Sequence, residues 1–304
     1  MSSHAFDNNQ FFADICTTAA TLGSPVAPDT TRRVLDVFEE NFRHGAVLWK
    51  TTERPGDHLN YRFFSRLVTD VVSQAIDGDL LRPDHPLVPY AATWTRRFDG
   101  SVQSGDFSAG AGMAKTWIFL GGPRATADVL VGTPYETLID RFEALNCRHI
   151  RFAAIDWQHR TLNWYFRVRG PLTHTALSRA ADFVGSRDVP AGVADTVIGN
   201  IPTDYCMAVT VDHETLAPVR TCFYALKIPR DAMPDIPSRI RQFLDAAPNH
   251  DPEECNVLGW SFGKAGPYIK AERSYTGSME DIVTEWGSFL HGQPSHDPSL
   301  LSTR

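Results

Sequence analysis

Strand-like segments recur along this chain in which every second residue is apolar, while the alternate face carries a single cation among aromatic and polar residues. Lys50 closes AVLWK, Arg62 sits in LNYRFFSRL, Lys115 in MAKTWIFL, Arg220 in VRTCFYALK and Lys270 in YIKAERSY. Side chains two apart share a strand face. Arg62 therefore groups with Asn60 and Phe64, Lys115 with Met113 and Trp117, and Lys270 with Tyr268 and Glu272. The opposite faces are mostly apolar: Leu59, Tyr61 and Phe63 in one segment, Ala114, Thr116, Ile118 and Leu120 in another. Periodicity alone favours an antiparallel sheet with helices on its apolar face and water on the other. The repeated pairing of one cation with Trp, Phe or Tyr argues instead for a bound anion joined to a hydrophobic group, which a merely solvated face does not require.

Helical periodicity places helices at Asn8–Leu22, Thr30–Phe42, Phe64–Ile76, Tyr135–Leu145, Leu172–Phe183, Ser238–Ala246 and Ser278–Leu290. Between them lie strand pairs: Ile150–Trp157 with Leu162–Val168, Cys206–Val211 with Val219–Lys227, and Val257–Gly263 with Tyr268–Tyr275. Less regular pairs are Val47–Thr51 with Leu59–Ser65, and Trp94–Phe98 with Lys115–Gly121. Gly105–Gly112 reads as a glycine- and serine-containing loop, and the tail from about residue 292 to 304 as mobile. Helix, hairpin, helix recurs about five times at roughly 50-residue spacing. Ten antiparallel strands can close into a barrel with interior space beyond what side chains fill. With helices outside, the apolar faces would meet them and the basic, aromatic faces would point into the lumen.

The 304 residues allow one large domain or two ordinary ones. An apolar content of 42% with 21% charge is that of a soluble globular protein. No apolar run approaches the roughly 20 residues a membrane helix needs. The opening MSSHAFDNNQ lacks the basic and apolar stretches of a secretory leader, so the expected location is cytoplasmic. Five cysteines, Cys16, Cys147, Cys206, Cys222 and Cys255, have no CxxC spacing and read as reduced thiols. A net charge of −7 argues against a nucleic-acid surface, so the cations serve a local ligand.

Three motifs lead elsewhere. Gly259-Trp260-Ser261-Phe262-Gly263 matches GxSxG, but its context is strand, turn, strand, not the strand-to-helix elbow of a nucleophilic serine. Ser108-Ala109-Gly110-Ala111-Gly112 is not GxGxxG and leads into a strand, which argues against a dinucleotide site. His250-Asp251-Pro252-Glu253-Glu254-Cys255 gathers metal-ligand types, but Pro252 and the short spacing read as an acidic turn. DDxxD and NDxxD are both lacking, so a diphosphate would have to be held by cations directly. At about 4 Å and an effective dielectric near 20, each such contact is worth roughly 4 kcal/mol before desolvation.

The segments NFRHGAVLWKTTERPGDHLNYRFFSRL, VQSGDFSAGAGMAKTWIFLGG, HIRFAAIDWQHRTLNWYFRVRGPL, CFYALKIP and HDPEECNVLGWSFGKAGPYIKAERSYTG resemble the soluble aromatic prenyltransferases of the ABBA, or PT-barrel, fold. They look most like the 4-hydroxyphenylpyruvate dimethylallyltransferases of aminocoumarin antibiotic biosynthesis, over about Asn9 to Gly292. The resemblance implies an α+β fold, a ten-stranded antiparallel β-barrel with a solvent-filled lumen ringed by α-helices, as a single domain over residues 1–304 and a monomer.

By position, the resemblance puts the family's diphosphate contacts on Lys50, Arg62, Lys115, Asn163, Tyr165, Arg220 and Lys270. Trp117 and Phe64 fall beside the allyl chain, where a π face stabilises a developing cation; plain core packing is the alternative. Arg151, Cys206 and Glu272 fall at the aromatic-acceptor end, where Phe64 is also expected to contact the acceptor, with an Arg151–Glu272 ion pair as the structural alternative. Asn60 stands where the magnesium-dependent branch has its metal-binding aspartate. A neutral amide is a poor magnesium anchor, so no metal or other cofactor is expected.

The implied chemistry is ionisation of dimethylallyl diphosphate assisted by Lys115, with Trp117 flanking the allyl cation. A phenolic ring then attacks, Glu272 hydrogen-bonds the phenol and Arg151 pairs with an acceptor carboxylate. Naphthalenediol, flavonoid or phenazine acceptors are alternatives within the fold. A non-catalytic carrier of aromatic acids is the reading from another class.

Overall fold

The computed structural model describes residues 6–186, 189–201 and 203–282. Helices and hairpins alternate through it. Helices α1 (Asn8–Leu22), α2 (Pro28–Val37) and α3 (Glu39–His44) precede β1 (Ala46–Thr52) and β2 (Asn60–Phe64); α4 (Val71–Asp77) and α5 (Val88–Arg97) precede β3 (Val102–Ser108) and β4 (Gly112–Ala125). Then α6 (Thr126–Leu130) and α7 (Ile139–Glu143) lead to β5 (His149–Asp156) and β6 (Thr161–Val168). Next, α8 (His174–Phe183) and α9 (Ala191–Asn200) lead to β7 (Tyr205–Asp212) and β8 (Pro218–Ala225); α10 (Ser238–Ala246) leads to β9 (Asn256–Gly263) and β10 (Tyr268–Thr276). The strands close in the order β1-β10-β9-β8-β7-β6-β5-β4-β3-β2, every neighbouring pair antiparallel. The ten-stranded barrel expected from the sequence is the fold.

Closure leaves no free sheet edge and separates two apolar groupings. The larger lies between the outer wall and the helices. There Trp49, Tyr61, Phe63 and Phe107 meet Phe11, Phe38 and Phe42, with ring centroids 4.9 to 6.0 Å apart. Helix α1 joins it through Phe11, Ile15, Ala19 and Leu22, spaced on one helical face. Asp7 caps that helix by accepting from the Gln10 amide, and Gly23 ends it in the left-handed region. The smaller grouping lines the lumen and includes Leu48, Phe64, Trp117, Phe152, Ala154, Tyr165, Tyr224 and Met279.

Several expectations about elements are corrected. Trp94–Phe98 is not a strand but the end of α5, which Pro89 starts near its first turn; Trp94 packs edge-on against Trp164 at 4.7 Å. The true partner of β4 is β3, which takes in the start of the supposed loop. Gly105 is a strand residue paired with Phe63 and Thr116, and it is glycine because the Phe107 ring covers it: a Cβ there would lie 2.5 Å from Phe107 Cζ. The helix expected at Thr30–Phe42 breaks at Phe38, whose buried ring packs against Phe63 and Phe107. Phe64 ends β2 facing the lumen, and helix resumes only at Val71 behind the Asp70 cap. Tyr135–Leu145 is a 3-10 turn, Pro134–Leu138, followed by the short α7. Met113 packs with the outer core, not beside Lys115 in the lumen, because the register shifts where Asp106 pairs with Lys115 and Phe107 with Met113. That bulge reverses the parity of the strand end. A helical turn covers 279–282; the rest of the helix expected at Ser278–Leu290, and the tail, lie outside the described residues.

Candidate active site

Strand order and register bring the scattered cations to one end of the lumen. Lys50, Arg62, Lys115, Asn163, Tyr165, Arg220 and Lys270 all line a single polar cavity with about 380 Å³ of unfilled space, part of it open to solvent. Tyr224, Thr210 and Glu272 line it too. Each basic group has an orienting partner. Lys50 Nζ lies 2.8 Å from Asp106 Oδ2, and Lys115 Nζ lies 2.7 Å from Asp156 Oδ2. Arg62 Nη2 bridges Glu272 at 2.9 Å and Asp106 at 3.1 Å. Arg220 donates to the Tyr268 hydroxyl at 2.5 Å and Lys270 to the Tyr224 hydroxyl at 2.6 Å. Thr210 donates to Asn163 Oδ1 at 2.7 Å, and Asn163 Nδ2 has no hydrogen-bond partner among the described residues. That amide presents a spare donor to the cavity.

The cations are thus not lone, as each strand read by itself suggested. Arg62 stands opposite Asp106, Asp106 opposite Lys115 and Lys115 opposite Asp156, so charge alternates across β2, β3, β4 and β5. Burial works against charge at Lys50, Arg62, Asp106 and Asp156. It brings the Lys50 ammonium down to about 8, against the pull of Asp106. It would raise both Asp carboxyls, but Lys50 and Arg62 outweigh it at Asp106, and Lys115 with His159 does so at Asp156, leaving both below the ordinary carboxylate range. Arg62 is held more firmly charged despite burial, by Glu272 and Asp106.

Beyond the cations the lumen turns apolar. Trp117 and Tyr165 lie 4.4 Å apart with their planes tilted by 35°, and the Arg62 guanidinium lies 4.7 Å from the Trp117 ring centroid. Phe64 meets Trp117 edge-on at 5.9 Å. A second, adjoining cavity with about 690 Å³ of unfilled space, part of it open to solvent, is lined by Trp117, Phe152, Tyr165, Tyr224, Val257 and Met279, with Arg62, Arg151, Arg167, Cys206 and Glu272 as its charged and polar groups. Arg151 enters it through a bulge. Ile150 pairs with Phe166 and Phe152 with Tyr165, so Arg151 is the extra residue between them. The bulge puts two consecutive side chains, Arg151 and Phe152, on the same cavity. Burial pushes the Cys206 thiol up to about 12, which leaves it a wall group and not a thiolate nucleophile. Glu272, on the border of both cavities, accepts from Arg62.

Sequence reasoning missed Asp106, Asp156 and Tyr224, and it grouped Tyr268 with Lys270 without giving it a role. Reading 105–112 as a loop hid Asp106. Asp156 was visible by parity with Phe152 and Ala154 in HIRFAAIDW. The GxSxG match is explained by space: a Cβ on Gly259 would lie 2.7 Å from Lys270 Cε and 3.1 Å from Cys222 Sγ. Its central Ser261 is a buried residue of β9, away from any helix start. Among the described residues no group of three or more His, Cys, Asp or Glu is arranged to hold a metal ion, and no helix is long and apolar enough to cross a membrane.

A closed barrel with a basic cavity opening into an aromatic one defines a class, and comparison with known proteins agrees. The family model for aromatic prenyltransferase Orf2 matches residues 6–287. A 4-hydroxyphenylpyruvate 3-dimethylallyltransferase of Streptomyces niveus is 49% identical over 300 residues, covering 97% of this chain and 93% of that protein. An aromatic prenyltransferase of Botryotinia fuckeliana is 36% identical over 300 residues, covering 94% and 96%. The fold is similar to the crystal structure of 5-dimethylallyltryptophan synthase from Streptomyces coelicolor, with TM-score 0.55 and 11% identity over 89% of this chain and 97% of that one. The chain belongs to the aromatic prenyltransferase Orf2 family.

Proposed function

We propose that this aromatic prenyltransferase moves a dimethylallyl group from dimethylallyl diphosphate to a ring carbon of 4-hydroxyphenylpyruvate or a close phenolic acid. The observation that carries the reading is the joining of the two cavities at Trp117, Tyr165 and Glu272: cations on one side, an apolar chamber containing Arg151 on the other. The S. niveus relative supports the choice of acceptor.

In this reading the donor's C–O bond breaks and its electron pair leaves with the diphosphate. Lys50, Arg62, Lys115, Arg220 and Lys270 stabilise the growing charge, with Asn163 and Tyr165 as hydrogen-bond donors. The allyl cation lies against the faces of Trp117 and Tyr165, with Phe64 behind Trp117. The phenol ring attacks to form the C–C bond, and the ring carbon then gives its proton to the Glu272 carboxylate, which restores aromaticity. Glu272 accepts the phenol's hydrogen bond, which feeds electron density to the ortho position. Arg151 pairs with the acceptor carboxylate, beside Cys206. The apolar walls restrict water that would quench the cation.

The neutral Asn60 supports catalysis without a metal or other cofactor. We further assign a single domain, a monomer and a cytoplasmic location, with small molecules as the only partners.

The test is pyrophosphate release from dimethylallyl diphosphate with 4-hydroxyphenylpyruvate, with and without EDTA, followed by mass analysis. A prenylated acid formed equally with EDTA is expected. Release only with a naphthalenediol, flavonoid or phenazine would move the acceptor; a requirement for magnesium would sink the metal-free mechanism.

A further inference from the structure

Two carboxylates stand behind the basic wall of the polar cavity and line neither cavity. Asp106 is fully buried, and its Oδ2 holds both Lys50 and Arg62. Asp156 is nearly as buried and is itself anchored: its Oδ1 accepts from the His159 amide at 2.9 Å and lies 3.0 Å from His159 Nδ1, while Oδ2 holds Lys115. The basic groups of β8 and β10, Arg220 and Lys270, lean on the phenols of Tyr268 and Tyr224. Lys50, Arg62 and Lys115 are therefore backed by carboxylates, whereas Arg220 and Lys270 are backed by neutral phenols.

A buried carboxylate is costly unless tightly paired. Next to an anion site it also weakens anion binding, so a site built for affinity alone would have neutral backing throughout. Its compensating effect is to keep an ammonium charged and in one place while the cavity is empty, which is preorganisation for charge that develops later.

We propose that Asp106 and Asp156 are positioning residues for the leaving group, acting through Lys50 and Lys115 and not by touching substrate. This rests on the reading that the polar cavity takes the donor's diphosphate. The consequence is a split between binding and turnover. Asp156→Asn removes a negative charge near the diphosphate and frees Lys115, so inorganic pyrophosphate should bind several-fold more tightly and KM for dimethylallyl diphosphate should fall. Its kcat should drop by about tenfold or more, since the lost term belongs to the transition state. Asp106→Asn should behave likewise through Lys50, and Asp156→Glu should recover turnover.

The measurements are steady-state kinetics and calorimetric titration with pyrophosphate, with unfolding temperature recorded for each variant. Unchanged kcat in both Asn variants would overturn the proposal. So would joint loss of kcat and pyrophosphate affinity in a folded variant, which is what a merely structural residue gives. A second comparison uses the neutral pair Lys115→Met with Asp156→Asn, which leaves no unpaired buried charge if Asp156→Asn alone does not fold. If Asp156 acts through Lys115, the double variant is no slower than Lys115→Met; a further multiplicative loss overturns the idea. Wild-type protein that bound no pyrophosphate would sink the reading of the cavity itself, whereas wild-type binding with a normal kcat for Asp156→Asn sinks only the positioning role.

Discussion

Lys115 is the residue on which the leaving-group mechanism most depends, because its ammonium lies at the wall of the polar cavity with Asp156 behind it. Lys115→Ala is expected to lower kcat by about 10²- to 10³-fold, the usual effect of removing one preorganised donor from developing charge. Turnover at the parent rate would remove Lys115 from the mechanism. Lys50 offers a test by pH. Desolvation brings it down to about 8, opposed by Asp106 and Glu272 and reinforced by Arg62 and Lys115. Only its protonated form attracts diphosphate, so KM for the donor should rise as pH climbs through about 8. Lys50→Arg, which stays charged, should abolish that rise if Lys50 causes it. A KM profile that Lys50→Arg left in place would assign the titration elsewhere.

At the scale of elements, a bulge and a glycine decide which side chains reach the lumen. The β5 bulge delivers Arg151 to the apolar chamber. Arg151→Leu is expected to raise KM for 4-hydroxyphenylpyruvate by about 10- to 100-fold, the worth of a charge-assisted hydrogen bond. The same variant should leave KM unchanged for a neutral phenol without a carboxylate; equal effects on both acceptors would argue against a carboxylate anchor. Gly259 on β9 makes room for Lys270, and the atom that a new Cβ would meet first is on that flexible side chain. Gly259→Ala should therefore change the unfolding temperature little and raise KM for dimethylallyl diphosphate by displacing the ammonium. A large fall in unfolding temperature with normal KM would mean that the backbone moved instead. Bulges and covered glycines are also where sequence reading failed. Trp94 has the composition of a strand residue, yet it serves a helix because its ring has Trp164 to pack against. Gly105 looked like a loop residue because its cover, the Phe107 ring, is a matter of packing.

For the whole molecule, closure turns ten marginal strands into one wall on which distant residues share a ligand. The acidic chain thereby carries a basic interior: five cations and three carboxylates, Asp106, Asp156 and Glu272, meet around the polar cavity. A ligand bridging that wall should stabilise the entire barrel. Pyrophosphate at a hundred times its Kd contributes about 2.7 kcal/mol by mass action, which for a chain of this size raises Tm by about 4 °C. Differential scanning calorimetry checks this, and an unmoved Tm at saturating pyrophosphate would contradict binding at the wall. Amino-acid order by itself determined most of the period-two faces, four of the five hairpin pairs and the identity of the basic residues. Those follow from local geometry, since neighbours two apart in a strand share a face wherever no bulge intervenes. The pairing of Lys50 with Asp106, Lys115 with Asp156 and Arg62 with Glu272 was decided only by tertiary structure. Those partners lie 41 to 210 positions apart, and cross-strand register, shifted by single-residue bulges, sets which charge faces which.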